Sequence, residues 1–147
     1  MKIDHLDPCG KGGDGMIDIL QLRSTKQTEM LDITHLVQGV VQRANVKEGI
    51  CILYTPHTTA AVTINENADP SVPRDILMEI NKIVPFEDRY QHSEGNSAAH
   101  IKSSLVGCSR TLIIESGRLL LGTWQGIFFC EFDGPRSRQV QIKIVAG

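Results

Sequence analysis

RTLIIESGRLLLGTWQGIFFCEFDGPRSRQVQIKIV, residues 110–145, is the stretch whose reading decides the fold class. RTLII (110–114) and RLLLG (118–122) are short apolar runs on either side of Ser116-Gly117, a pair suited to a tight hairpin turn. WQGIFFCEFD (124–133) and RQVQIKIV (138–145) follow, joined through GPRS. In the last run Val140, Ile142 and Ile144 alternate with Gln141 and Lys143, so one face is apolar and the other wet. Strands joined by short turns favour antiparallel pairing.

Working outward, MIDILQLRS (16–24) also alternates and reads as a strand. ICILYT (50–55) is a buried strand by its continuous apolar run, and AAVTIN (60–65) is another after the PHTT bend. Between the first two, Asp32 or Thr34 caps a helix with Leu36, Val37, Val40, Val41 and Ala44 in one stripe, stopped by Gly49. DPSVPRDILMEINKIV (69–84) is a second helix, capped by Asp69 or Ser71, with Ile76, Leu77, Ile80, Ile83 and Val84 as its buried stripe. Asn96 or Ser97 starts a third, short helix that buries Ala98, Ile101 and Leu105 and ends at Gly107. The fold class is α+β: a single compact domain over residues 16–147, with two or three helices on a largely antiparallel or mixed β-sheet. Residues 1–15 are glycine-rich and polar and read as a flexible N-terminal arm.

A chain of 147 residues buries a core without staples. A formal net charge of −2 leaves no basic field, which argues against nucleic acid or an anionic membrane as the main partner. Cys9, Cys51, Cys108 and Cys130 form no C-x-x-C pair, and Cys51 and Cys130 fall in apolar strands where a reduced, buried thiol is the usual occupant. The N-terminus has no apolar leader core, and no apolar run approaches a membrane span. A cytoplasmic, soluble protein is the expectation.

Three polar clusters carry whatever chemistry there is. PHTTAAVTINENAD (56–69) puts His57, Thr59, Thr63 and Asn65 on one strand face, leading to Glu66, Asn67 and Asp69, while Ala60, Val62 and Ile64 share the other. Short polar groups without lysines suit a pocket wall, although a polar sheet face with threonine chosen for strand propensity fits as well. HSEGNSAAH (92–100) places Asn96, Ser97 and His100 at a helix start attractive to an anion, with His92 before the turn; a capped surface helix with solvated histidines is the alternative. EFDGPRSR (131–138) brings Arg136 and Arg138 close enough to clamp a phosphate or carboxylate, or to pair with Glu131 and Asp133. His57, His92 and His100 with Glu66 or Glu94 would suit zinc or a similar divalent metal, though their spacing does not enforce convergence. His5 and His35 are bystanders, and Trp124 reads as a core or interface anchor.

PHTTAAVTINENADPSVPRDI, HSEGNSAAHIKSSLVG and ESGRLLLGTWQGIFFCEFDGPRSRQVQI together resemble the YjbQ family, small bacterial and archaeal proteins associated with a weak thiamine-phosphate synthase activity. The resemblance runs from about residue 16 to 147 and implies an α+β homotrimer with polar pockets near subunit boundaries. It marks His57, Thr58, Thr59, Asn65, Glu66, Asp69, His92, Asn96, His100, Trp124, Gln125, Glu131, Arg136 and Arg138. The function it implies is action on a phosphorylated small molecule, as in thiamine-phosphate synthesis, which needs charge neutralised on a leaving diphosphate. In that scheme His57, Glu66 and His100 are catalytic, and Thr59, Asn65, Asn96, Ser97, Arg136 and Arg138 bind the ligand. His57, His92 and His100 would hold a metal if there is one. The alternative is a non-catalytic trimeric module that binds a metal or phosphometabolite.

Overall fold

The computed structural model describes residues 16–147, so the N-terminal arm, His5 and Cys9 lie outside the described residues. The elements in order are β1 (Ile17–Arg23), β2 (Glu29–Asp32), α1 (Thr34–Ala44), β3 (Gly49–Tyr54), β4 (Ala60–Glu66), α2 (Ser71–Ile83), α3 (Ser97–Val106), β5 (Ser109–Glu115), β6 (Arg118–Leu119), β7 (Gln125–Glu131) and β8 (Ser137–Ala146). They form a five-stranded sheet, order β1-β8-β3-β5-β6, and a three-stranded sheet, order β2-β7-β4, with antiparallel pairing throughout. The α+β class expected from the sequence is what is found.

The inner faces of the two sheets and one side of α1 share the larger core. Leu20, Cys51, Leu53, Leu112, Val140 and Ile142 from the larger sheet meet Val62, Ile127 and Phe129 from the smaller, with Val37, Val40 and Val41 from α1. The other face of the smaller sheet carries a second core, in which Ala61, Phe128, Cys130 and Phe132 meet Ala99, with Leu77 and Ile80 packed against them. Covering on both faces explains why IFFCE in β7 is apolar without alternation: every residue from Ile127 to Cys130 is buried, odd positions in one core and even in the other. Burial pushes the thiols of Cys51 and Cys130 up to about 12, as expected of inert core cysteines.

Ser116 and Gly117 both take positive φ (52° and 77°), the geometry of the expected hairpin turn. Several expectations need correction. β2 carries no clear strand signal in its four residues and exists because β7 offers it a partner edge, Leu31 opposite Phe129. The strand expected over 118–122 stops at Leu119, and Leu120 is exposed. α1 ends at Asn45 in the left-handed conformation (φ 53°), not at Gly49. Gly49 instead opens β3, where a Cβ would stand 2.2 Å from the Val145 carbonyl oxygen. On α2, Ile83 is exposed although Val84 is buried.

α3 is rotated from its expected setting. Ala98, Ala99, Lys102 and Ser103 face inward, and Ile101 and Leu105 are exposed. Small residues let the helix lie close against β4, so the fit to the sheet overrides hydropathy. For the same reason the outward face of β4 is not polar throughout: Ala61 on it is fully buried beneath α3.

Candidate functional site

Glu131 ends β7 fully buried, on the same side as Phe129, and Arg138 near the start of β8 is 6 % exposed on the same side as Val140. The two sheets therefore aim both charges into the same interior edge. Arg138 Nε donates to Glu131 Oε2 at 2.8 Å, and its Nη2 donates to Glu131 Oε1 at 2.6 Å and to Thr59 Oγ1 at 2.7 Å. Ser24 Oγ donates to Glu131 Oε2 at 2.8 Å, and the Asp133 amide donates to Glu131 Oε1 at 2.9 Å. A buried pair this fully bonded fixes geometry. The expected two-arginine clamp does not form, because Arg138 and Thr59 are consumed inside the fold. Arg136 points the other way, donating through Nε to the Asp133 carbonyl at 2.7 Å and through Nη2 to Asp133 Oδ2 at 3.0 Å, and it stays exposed.

His57 sits beside this network. Its Nε2 accepts the Gln139 amide at 3.0 Å, which leaves the proton of the neutral ring on Nδ1. Desolvation, with the Arg138 charge second, holds the imidazolium below its ordinary 6.5, so the ring is neutral near pH 7. The sign of the linked stability follows. Below about 6.5 the unfolded chain takes up this proton before the folded chain does, so the His57 contribution is complete at higher pH and lost as pH falls. Urea midpoints between about pH 7.5 and 5.5 should fall more steeply for the wild type than for His57→Gln. Parallel slopes would show that His57 keeps an ordinary affinity for protons.

α3 builds the rest. Asn96, His100 and Ser103 share one helix face at the spacing of successive turns. Asn96 Nδ2 donates to Asp133 Oδ2 at 3.0 Å, and the Ser103 hydroxyl donates to the Thr58 carbonyl. His100 lies between these anchors along the helix, half-buried. His92 meets it edge-on, with ring centroids 5.4 Å apart and planes at 83°. Ser97 opens the helix, half-buried. Asn96 Oδ1 is buried with no partner among the described residues.

The structure thus gathers His92, Asn96, Ser97, His100, Asp133 and Arg136 at one end of the smaller sheet, while His57 stands beside the Glu131–Arg138 pair. It does not gather all that was expected. Asn65 and Glu66 lie at the far end of β4, about 17 and 20 Å from Ala60 at 3.3 Å per residue, where Glu66 pairs with Gln125. Asn65 Oδ1 accepts the Glu66 amide there, and Asn67 reaches Asp32 at 3.0 Å. Within one chain Glu66 does not serve His57 as a base. Nor does one chain build the three-imidazole metal site, since the His57 Nε2 lone pair is occupied by an amide. Among the described residues no group of three or more His, Cys, Asp or Glu is placed to hold an ion. Ser103 and Ser24 were missed as site-builders because their partners, Thr58 and Glu131, lie far away in sequence; Asp133, expected as an ion-pair partner of the arginines, also anchors Asn96.

The sequence profile of the UPF0047 protein YjbQ-like family matches residues 18–147, almost the whole of the described domain. The chain belongs to the YjbQ/UPF0047 family. It is 52% identical to YugU of Bacillus subtilis over 88% of this chain and 99% of that protein, and 54% identical to a UPF0047 protein of Methanocaldococcus jannaschii over 85% and 91%. Among solved structures it is similar to a YjbQ/UPF0047 protein of Clostridium acetobutylicum (TM-score 0.85, 52% identity, 86% of this chain and 98% of that one). A YjbQ-like protein of Sulfolobus solfataricus gives a TM-score of 0.86 at 32% identity, over 90% and 97% of the two chains. YjbQ-family membership agrees with the resemblance carried by the sequence motifs. No described helix is long and apolar enough to cross a membrane.

Proposed function

We propose that this protein binds and acts on a phosphorylated small molecule at the α3 end of the smaller sheet, in a reaction that releases diphosphate, as in thiamine-phosphate synthesis. The observation that carries this is the edge-on His92–His100 pair beside Asn96 at the head of a ten-residue helix, with Arg136 tied to the same Asp133 as Asn96. Imidazoles, unpaired helix N–H groups and an exposed guanidinium supply donors and positive charge to an anion from three directions. His100 is the proton donor to a leaving phosphate, Arg136 and Ser97 hold its oxygens, and neutral His57 donates through Nδ1. Asp133 is the competing anion already present, so an incoming phosphate must draw Arg136 from it.

A homotrimer belongs to the same proposal. What supports self-association is the outer face of the larger sheet, where Ile17, Ile19, Ile50, Tyr54, Ile113 and Val145 are all exposed and Ile50 stands opposite both Ile113 and Val145. A trimer would also give the Glu66 end of one chain a route to the His57 end of the next.

The test is calorimetric titration of inorganic pyrophosphate into the wild type, His100→Ala and Arg136→Ala, with light scattering on each preparation. The expected result is saturable binding weakened about tenfold by each change, the loss of one charge-assisted contact. Release of pyrophosphate from hydroxymethylpyrimidine diphosphate with thiazole phosphate should fall in parallel, and the scattering mass should be that of three chains. Absence of pyrophosphate binding by the wild type, or equal binding by all three proteins, overturns the site.

A further inference from the structure

Lys102 is among the largest fully buried side chains in the described domain, and its ammonium has no hydrogen-bond partner among the described residues. Nζ stands 3.5 Å from the centroid of the Phe86 ring. A ring face returns only part of what an ammonium loses on leaving water, so this group is left unsatisfied where buried lysines normally find an acceptor. Desolvation pushes it down to about 8. The sequence around it gives no structural reason for a charge, since Ala98, Ala99 and Ser103 beside it on the inward face of α3 are small and uncharged.

Position and cover separate Lys102 from the site described above. On α3 it stands about 200° around the axis from His100, on the other flank of the helix. Its side chain leans toward the helix N-terminus, beneath the segment linking α2 to α3. Phe86 lies on that segment and belongs to neither core cluster. Glu87, Asp88 and Arg89 after it are exposed, and the Tyr90 hydroxyl donates to the Pro85 carbonyl at 2.6 Å, closing a small hoop around them. The hoop contributes no residue to either core cluster, and its Phe86 ring lies against Nζ.

We propose that Lys102 is a gated anion-binding residue: the Phe86 ring caps its ammonium when the site is empty and yields it to the phosphate group of a ligand. An ammonium with three free donors is a point charge suited to an anion with several oxygens. Glu87 and Asp88 follow Phe86 on the exposed side of the hoop, and neither carboxylate pairs with the ammonium.

Pyridoxal 5′-phosphate tests this in the intact chain, because it carries both a phosphate and an aldehyde. The amine adds to the aldehyde, water leaves, and borohydride reduces the imine to a stable secondary amine that peptide mass spectrometry locates. Lys102 should be modified, and excess inorganic phosphate should slow that modification while leaving exposed Lys47 and Lys82 unaffected. Phe86→Leu, which keeps bulk but removes the ring, should speed it about tenfold. Phosphate protection of Lys102 should persist in the Arg136→Ala chain; its loss there would mean that phosphate acts only through the other site, and would overturn the proposal. An unmodified Lys102 in both wild type and Phe86→Leu, with Lys47 reacting, would show a closed structural amine. Modification indifferent to phosphate would show an amine that is reachable but binds no anion.

Discussion

Arg138→Ala should destabilise the fold by about 3–5 kcal/mol, because it breaks a buried ion pair. Removal of the guanidinium strands a fully buried Glu131 carboxylate whose remaining donors are the Ser24 hydroxyl and the Asp133 amide. Those two bonds do not replace a bidentate ion pair in a place water does not reach. Thr59 Oγ1 loses its donor in the same step. Urea denaturation should show a lower midpoint with an unchanged slope, and the melting temperature should fall by roughly 10 °C or more. The double variant Arg138→Met/Glu131→Leu should recover most of the loss, because a desolvated pair is expensive to break and cheap to replace. A wild-type midpoint for Arg138→Ala would mean that water enters this edge and the pair adds little.

Phe129→Ala comes next, at about 3–5 kcal/mol. Phe129 is fully buried at the middle of the central strand β7, opposite Leu31 on one side and Val62 on the other. The sheets on either side are fixed by their own ladders, so the cavity left behind cannot collapse far. Phe128→Ala is the informative comparison. It empties the other core, under α2 and α3, and so loosens the helix that carries Asn96 and His100. Phe129→Ala should lower global stability with little change in pyrophosphate affinity below the melting transition, while Phe128→Ala should lower both. Equal affinity in both variants would show that α3 is placed by its loop anchors rather than by this core.

The two stability predictions and the site share one cause. Glu131 and Arg138 hold the ends of β7 and β8 in a fixed relation, and Asp133 and Arg136 continue from them to the head of α3. The proposed site therefore rests on a buried ion pair set apart from its exposed groups. Pyrophosphate binding by Arg138 variants should then track their folded fraction.

Much of the fold was legible because local rules and the final structure agree. Alternation in β1 and β8, the Ser116-Gly117 turn, and the α1 stripe of Val37, Val40 and Val41 each point to the element observed. The α+β class and the family followed from the sequence as well. What misled were segments whose state depends on a distant partner. EMLD is a strand only because β7 has a free edge. IKSSL turns its isoleucine and leucine outward because the gap against β4 admits alanine and serine.

The site divides in the same way. Residue types and spacing singled out His57, Asn96, His100 and the arginines, since polar groups clustered without apolar bulk are visible in any sequence. Only the tertiary structure decided that Arg138 faces Glu131 while Arg136 faces Asp133, that His57 offers Nδ1 rather than Nε2, and that Glu66 stands at the other end of its strand. It also showed Lys102, on which the sequence was silent, buried under Phe86. A sequence fixes which faces its side chains can take within each element, but the register between strands and the closeness of a helix to a sheet are set by packing among residues far apart in the chain.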